Sequence, residues 1–168
     1  MKRENNAISI CVRSLSTYAE KDWVTPAEAL EFMDKQNKID GSEEFIIVDY
    51  DAPFAISEYA SVAELAEKSE MLENLTDDEI EVIEAVLENH TSDFDEALEI
   101  VADGDYMIYD DCWNMAEVAE RYLDETGMLN ELPDFAVDYF DFEAYGRDME
   151  FNGRFYQIND NTYLEIFR

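Results

Sequence analysis

The sequence predicts an α+β fold, and three observations predict it. Apolar residues make up 47% of the 168 positions and aromatics 13%, enough for a buried core that disordered acidic tails lack. Alternating, β-branched runs stand in the first third and the last part, while the middle carries the apolar period of helices. Pro and Gly are scarce, at 3 and 5 copies, with no low-complexity stretch and no internal repeat, so the whole length reads as folded.

The elements follow in order. Ala7 to Leu15 is a first strand. Thr25, Pro26 and Glu28 then spell an N-cap, a proline at the first helical position and a capping-box acid, opening a helix to about Gln36. Phe45 to Tyr50 reads as a second, well-buried strand ended by Asp51-Ala52-Pro53. Residues 1–60 are therefore expected to form a small α+β subdomain. Residues 61–104 are expected to be a helical subdomain of three short helices. Ser61 caps the first, which contains Val62, Leu65, Met71 and Leu72 and ends near Leu75. Thr76 caps the second, with Glu79 in the box position and Ile80, Ile83, Val86 and Leu87 as its apolar stripe. Ser92 caps the third through about Ala102, with Phe94, Leu98 and Val101 inward. Residues 105–168 return to mixed structure. Tyr106 to Tyr109 is a short strand, Asn114 to Thr126 a helix stopped by Gly127, and Pro133 opens a helical segment through Phe140 or beyond. Arg154 to Ile158 and Thr162 to Phe167 make a closing hairpin around Asn159-Asp160-Asn161.

Charge narrows the function. There are 43 Asp and Glu against 11 Lys and Arg, net −32. Residues 1–44 hold nine acids and six bases, whereas residues 45–168 hold 34 acids and only Lys68, Arg121, Arg147, Arg154 and Arg168. Like charges one helical turn apart destabilise a helix, so such a field opposes folding. Duplex DNA carries one charge per ~1.7 Å of axis, so this inventory equals roughly 16 base pairs. Halophilic adaptation also produces acidic surfaces, but it would spread the imbalance evenly. Nucleic acid and anionic membranes are excluded as direct partners, and a strongly basic protein is implied.

The spacing of the acids is informative. Asp77, Glu81, Glu84 and Glu88 share one helical face, with a charge about every 5 Å. Glu64, Glu67 and Glu70 do the same one helix earlier, and Glu73, Glu117, Glu120 and Asp124 extend the theme beside Asp110 and Asp111. A solvated face explains acids but leaves the missing lysines unexplained, since i,i+4 ion pairs are the ordinary way to stabilise an exposed helix.

Catalytic chemistry has little support. His90 is the single histidine and sits at an expected helix end, where a partial positive charge is favoured. Asp49/Asp51 and Asp110/Asp111 are pairs suited to a divalent metal, but Ala52-Pro53 breaks the pattern of a calcium loop, and Asn159-Asp160-Asn161 is incomplete. A metal-dependent hydrolase at Asp110/Asp111 therefore ranks last among the readings. No phosphate-cradling glycine loop, nucleophile elbow or zinc spacing occurs, and no cofactor is expected. Cys11 and Cys112 are far apart, Met1 to Asn6 lead into no secretory apolar segment, and no run approaches a membrane span. A reducing cytoplasm with free thiols is expected.

From about Phe45 onward the sequence resembles the ArdA antirestriction proteins. The likeness rests on Asp49-Tyr50-Asp51-Ala52-Pro53-Phe54 with Glu58-Tyr59, on Glu117-Val118-Ala119 with Tyr122 and Glu125-Thr126-Gly127, and on Leu132-Pro133. Its most specific run is Tyr139-Phe140-Asp141-Phe142-Glu143-Ala144-Tyr145-Gly146-Arg147-Asp148. The resemblance implies an elongated chain of three small subdomains and an acidic homodimer. It further implies a surface that imitates bent duplex DNA and displaces it from the methyltransferase core and specificity subunit of type I restriction–modification enzymes. Met128 to Asp141 corresponds to the family's antirestriction motif near the subunit interface. There Leu129, Leu132, Tyr139 and Phe140 are expected to pack, and Glu131, Asp134, Asp138 and Asp141 to supply charge. The N-terminus departs: Leu15 to Trp23 keeps Tyr18 and Trp23 but lacks the family's glycines. An acidic adaptor for another basic DNA-binding protein is the competing expectation.

Overall fold

The computed structural model describes residues 7–168, so the reading of Met1 to Asn6 lies outside the described residues. The fold is α+β. Its order is β1 (Ser9–Ser14), β2 (Glu20–Val24), α1 (Pro26–Asp40), β3 (Phe45–Asp51), α2 (Val62–Leu72), α3 (Asp77–Asn89) and α4 (Phe94–Asp103), then β4 (Tyr106–Asp110) and α5 (Met115–Glu125). A 3-10 turn (Met128–Glu131), α6 (Asp134–Val137), α7 (Phe142–Phe151), β5 (Phe155–Asn159) and β6 (Thr162–Ile166) complete it. The chain clusters into two compact units, Met1–Glu84 and Ala85–Arg168, divided within α3.

The first unit is built on an antiparallel sheet in the order β2-β1-β3. β1 is central: Ile10 and Val12 are fully buried, with Ile10 opposite both Val24 and Tyr50. α1 packs on β1, β2 and α2. Its start is as expected, since Thr25 accepts from the Glu28 amide while the Glu28 carboxylate reaches back to the Thr25 amide. It runs on to Asp40, where Gly41 at φ 74° closes it. β3 corrects the expectation of a well-buried strand: only Ile47 is buried, and Val48 and Tyr50 face solvent, because β3 is an edge. β2 was not anticipated. Its Glu-Lys-Asp-Trp sequence lacks an apolar alternation because every residue but Val24 is exposed. In α2 the buried face is Val62, Leu65, Ser69 and Leu72, while Met71 points outward.

The second unit pairs β4 and β5 with β6 in the order β4-β6-β5. All five β6 residues are buried. Tyr163 lies on the face that joins Tyr109, Cys112, Met115, Val118, Ala119 and Met149 in one cluster, packed by α5 and α7. Leu164 and Ile166, on the opposite face by alternation, are completely buried. The α4 cap is Asp93, which accepts from the Asp95 and Glu96 amides, and not Ser92. Ala97 and Ile100 join Phe94 and Val101 in the core, with Leu98 half-buried. The helical segment opened by Pro133 ends after one turn; Asp141 then caps a separate helix, α7, by accepting from the Ala144 amide at 2.9 Å.

Helices α5 and α7 touch backbone to backbone. A Cβ at Gly146 would lie 2.3 Å from the Met115 carbonyl oxygen. Only glycine fits there, which gives the Tyr-Gly-Arg-Asp run a packing role.

Candidate functional surface

Sequence spacing is converted into a surface by the capping and apolar faces of the central helices. In α3, Ile80, Val82, Ile83, Ala85 and Val86 turn inward. Asp77, Glu81 and Glu88 are exposed on the opposite side, and Glu84, in the same row, is half-buried. Thr76 and Glu79 close the capping box, with Glu79 accepting from the Thr76 amide at 2.7 Å. That amide and the Thr76 hydroxyl hold the Glu79 carboxyl below its ordinary range. Glu64, Glu67 and Glu70 stand exposed along α2, with Glu73 at its end. Glu120 and Asp124 are exposed on α5.

Three expected surface acids have local partners. Glu117 is half-buried and accepts from the Trp113 amide at 2.8 Å and the Asn114 side chain at 3.2 Å, so it helps cap α5. Asp110 and Asp111 are exposed beside the β5–β6 turn, accepting from Thr162 and Asn161 respectively. No group of three or more His, Cys, Asp or Glu suited to a metal occurs among the described residues.

The electrostatic design differs between helix starts and helix ends. Acids crowd the first turns of α2, α3, α4, α5 and α7, where the positive end of the helix dipole favours them. None of these five helices has a base in its last turn, while Glu88, Asp103, Glu125 and Glu150 stand there against the dipole. At α4 the deficit is answered from elsewhere, by Arg168 bridging Glu99, Asp103 and Asp105. Residues 61–104 hold 15 acids and one base.

The segment 128–141 has a different character. Tyr139 is 86% and Phe135 73% exposed, so neither packs within the chain. Phe140 is half-buried, its ring 4.9 Å from Phe142 and 5.8 Å from Tyr145. Leu129 and Leu132 are half-buried, and Glu131, Asp134, Asp138 and Asp141 are exposed.

The model of the family described as "Antirestriction protein (ArdA)" matches residues 10–164, nearly the whole chain. The chain belongs to the ArdA family. Antirestriction is therefore its activity class, and the family is one of inhibitors. No curated protein matches the chain. The ArdA match begins inside β1, so the N-terminal unit whose glycines are missing is covered by it as well. No helix among the described residues is long and apolar enough to cross a membrane.

Sequence reasoning missed one buried acid. Glu165 is 7% exposed at the centre of the second sheet and accepts from the Tyr109 hydroxyl at 2.7 Å. Burial first, and this carboxylate second, push the Tyr109 phenol far above its ordinary pKa. The signal was present: in Thr-Tyr-Leu-Glu-Ile, strand alternation puts Glu165 on the same side as Tyr163. His90 is engaged structurally. Its Nδ1 lies 3.0 Å from the Tyr156 hydroxyl, which is also 2.9 Å from the Gly153 carbonyl oxygen. Cys11 and Cys112 are buried free thiols, both pushed upward in pKa chiefly by burial.

Proposed function

We propose that this protein inhibits restriction by imitating DNA. Its carboxylate rows enter the basic DNA groove of a type I restriction–modification enzyme and exclude the duplex. The observation that carries the reading is the set of helix ends left without a base. Exposed acids at those ends cost stability, and ordinary helix optimisation would replace them by lysine. The groups assigned to phosphate replacement are Glu64, Glu67, Glu70, Glu73, Asp77, Glu81, Glu84, Glu88, Asp110, Asp111, Glu117, Glu120 and Asp124. Binding would release the counterions that DNA binding releases, so affinity should fall steeply with salt. The inhibitor acts without catalysis or cofactor, in the cytoplasm, and contacts neither nucleic acid nor membrane.

In this reading residues 1–60, 61–104 and 105–168 act as three successive stretches, the middle one the most phosphate-like. Self-association falls to residues 128–141, whose exposed Phe135 and Tyr139 suit an interface. Replacing both by serine should halve the sedimenting mass and leave the urea midpoint unchanged. A lowered midpoint at constant mass would put these rings in the core instead.

The deciding experiment is competition. A type I methyltransferase bound to labelled duplex is titrated with the protein at several salt concentrations. Displacement near one equivalent, weakening with salt, is expected. Displacement indifferent to ionic strength would sink electrostatic mimicry. A second reading, an adaptor for another basic DNA-binding protein, is favoured by the N-terminal unit. There Tyr18 and Trp23 are exposed at φ 59° and 47°, a backbone region that costs non-glycine residues energy and marks binding surfaces. Absence of displacement by folded protein would move the function to that reading.

A further inference from the structure

The second unit contains a cavity of about 370 Å³ between the β5–β6 edge and helices α5 and α7. This is within the size range of small-ligand sites. Tyr122 of α5, Tyr145 of α7 and Phe155 of β5 supply aromatic walls, and Met149 an apolar one. Tyr122 and Phe155 meet edge to face, with ring centroids 6.4 Å apart. Glu165 also lines the cavity although its residue is 7% exposed. One of its oxygens, Oε2, accepts from Tyr109. No buried side-chain polar atom of the described residues lacks a partner, so the carboxylate is either bonded or open to the cavity.

The field inside favours a positive occupant. Asn152 on the lining is the C-cap of α7, where the helix dipole presents its negative end. The unit as a whole carries 22 acids and four bases. Aromatic faces attract organic cations further. Arg154 is the one opposing group on the lining, and it is exposed.

We propose that this cavity binds a monovalent organic cation, an alkylguanidinium or alkylammonium head, with Glu165 as its counter-charge and Tyr122, Tyr145 and Phe155 as its walls. The occupant is either a free small cation or the arginine or lysine side chain of a basic protein. The proposal does not rest on DNA mimicry, because its test contains no restriction enzyme.

The full-length protein is titrated with n-butylguanidinium at physiological salt, following the aromatic and methionine-methyl NMR signals. Saturable 1:1 shifts at Tyr122, Tyr145, Phe155 and Met149 are expected, with no response to the neutral isostere n-butylurea. Glu165→Gln keeps an acceptor for Tyr109 but removes the charge, and should weaken binding about tenfold or more. Glu31→Gln removes the same charge from an exposed position of the first unit and should leave binding unchanged. Arg154→Gln should tighten it. A blocked Gly-Arg-Gly peptide producing the same shifts assigns the occupant to a protein side chain; binding of n-butylguanidinium alone assigns a free cation. Shifts spread without saturation over the acidic helices, equal binding of n-butylurea, or tighter binding of butyrate that Arg154→Gln abolishes would each overturn the proposal. Should Glu165→Gln fail to fold, the wild-type contrast between n-butylguanidinium and n-butylurea decides.

Discussion

Helices α1 and α3 begin alike and end differently. Each opens with a threonine cap and a glutamate three residues on, and in each the two side chains and amides bond reciprocally. α1 then finishes with Lys38, paired to Asp34, and with Gly41 in the left-handed conformation. α3 finishes with Glu88 and no base. At a helix start an acid satisfies both the dipole and the cap, so stability alone explains Glu28 and Glu79. At a helix end an acid opposes the dipole, so stability alone does not explain Glu88. The contrast separates acids that fold the chain from acids that the fold tolerates. The second kind are the acids that stability alone does not explain, and so the strongest candidates for phosphate replacement.

If the tolerated acids weaken the second unit, its stability must come from packing, and the largest effect of any single change should be found there. Gly146→Ala drives a methyl to 2.3 Å from the Met115 carbonyl oxygen. Overpacking against backbone should cost about 3 kcal/mol or more, read as a lowered urea midpoint. A midpoint within error of wild type would mean that α5 and α7 part at little cost, and that packing is not what offsets the charge.

The caps come next. Thr25→Ala and Thr76→Ala should each cost about 1 kcal/mol, because both remove the same bonds. Equal losses would establish that the two helix starts are equivalent despite their different charge surroundings. A much smaller loss at Thr76 would mean that α3 is held by its apolar face alone.

The helix ends should give effects of opposite sign. Glu88→Lys is expected to stabilise by a few tenths of a kcal/mol, and Lys38→Glu to destabilise by a similar amount. The same Glu88→Lys should weaken displacement of labelled duplex in the competition assay, while Lys38→Glu should not. Gain of stability together with loss of inhibition is the signature of an acid kept for function. If Glu88→Lys improved both, the unneutralised helix ends would carry no functional meaning.

These contrasts were partly legible in the sequence. Capping boxes at Thr25 and Thr76 are local, so three residues suffice to read them, and the β5–β6 hairpin is equally local. The row Asp77, Glu81, Glu84 and Glu88 follows from helical spacing, although its inner member, Glu84, is half-buried. Edge strands are harder. β2 has no apolar alternation because it buries only Val24, and β3 looks buried in sequence because its apolar residues are contiguous. The break between α6 and α7 depends on Asp141 capping a new helix, which a continuous polar–aromatic run conceals. Strand alternation places Glu165 beside Tyr163, but what it bonds, like what Gly146 meets, lies far off in sequence: the Tyr109 hydroxyl in one case and the Met115 carbonyl in the other. Whether an acid folds the chain or is tolerated by it likewise depends on what lies at the helix end. That is why Glu117, read as surface charge, turns out to help cap α5.

The smallest expected effect concerns pH and tests the same division. The carboxyl of Glu79 is held low by the amide and hydroxyl of Thr76. A carboxylate whose folded pKa lies below its unfolded value, about 4.3 for Glu, contributes stability that is complete above that value. The contribution fades as pH falls through the folded pKa. The cap of α3 should therefore contribute a decline in wild-type stability as pH falls below about 4.3. In Glu79→Gln the capping contribution no longer titrates, so the decline should be shallower than in the wild type. Urea midpoints measured every half unit from about pH 6 to pH 3 separate the two. Identical acid limbs for Glu79→Gln and wild type would mean that the cap at α3 is not electrostatic, and the two helix starts would then have to be distinguished after all.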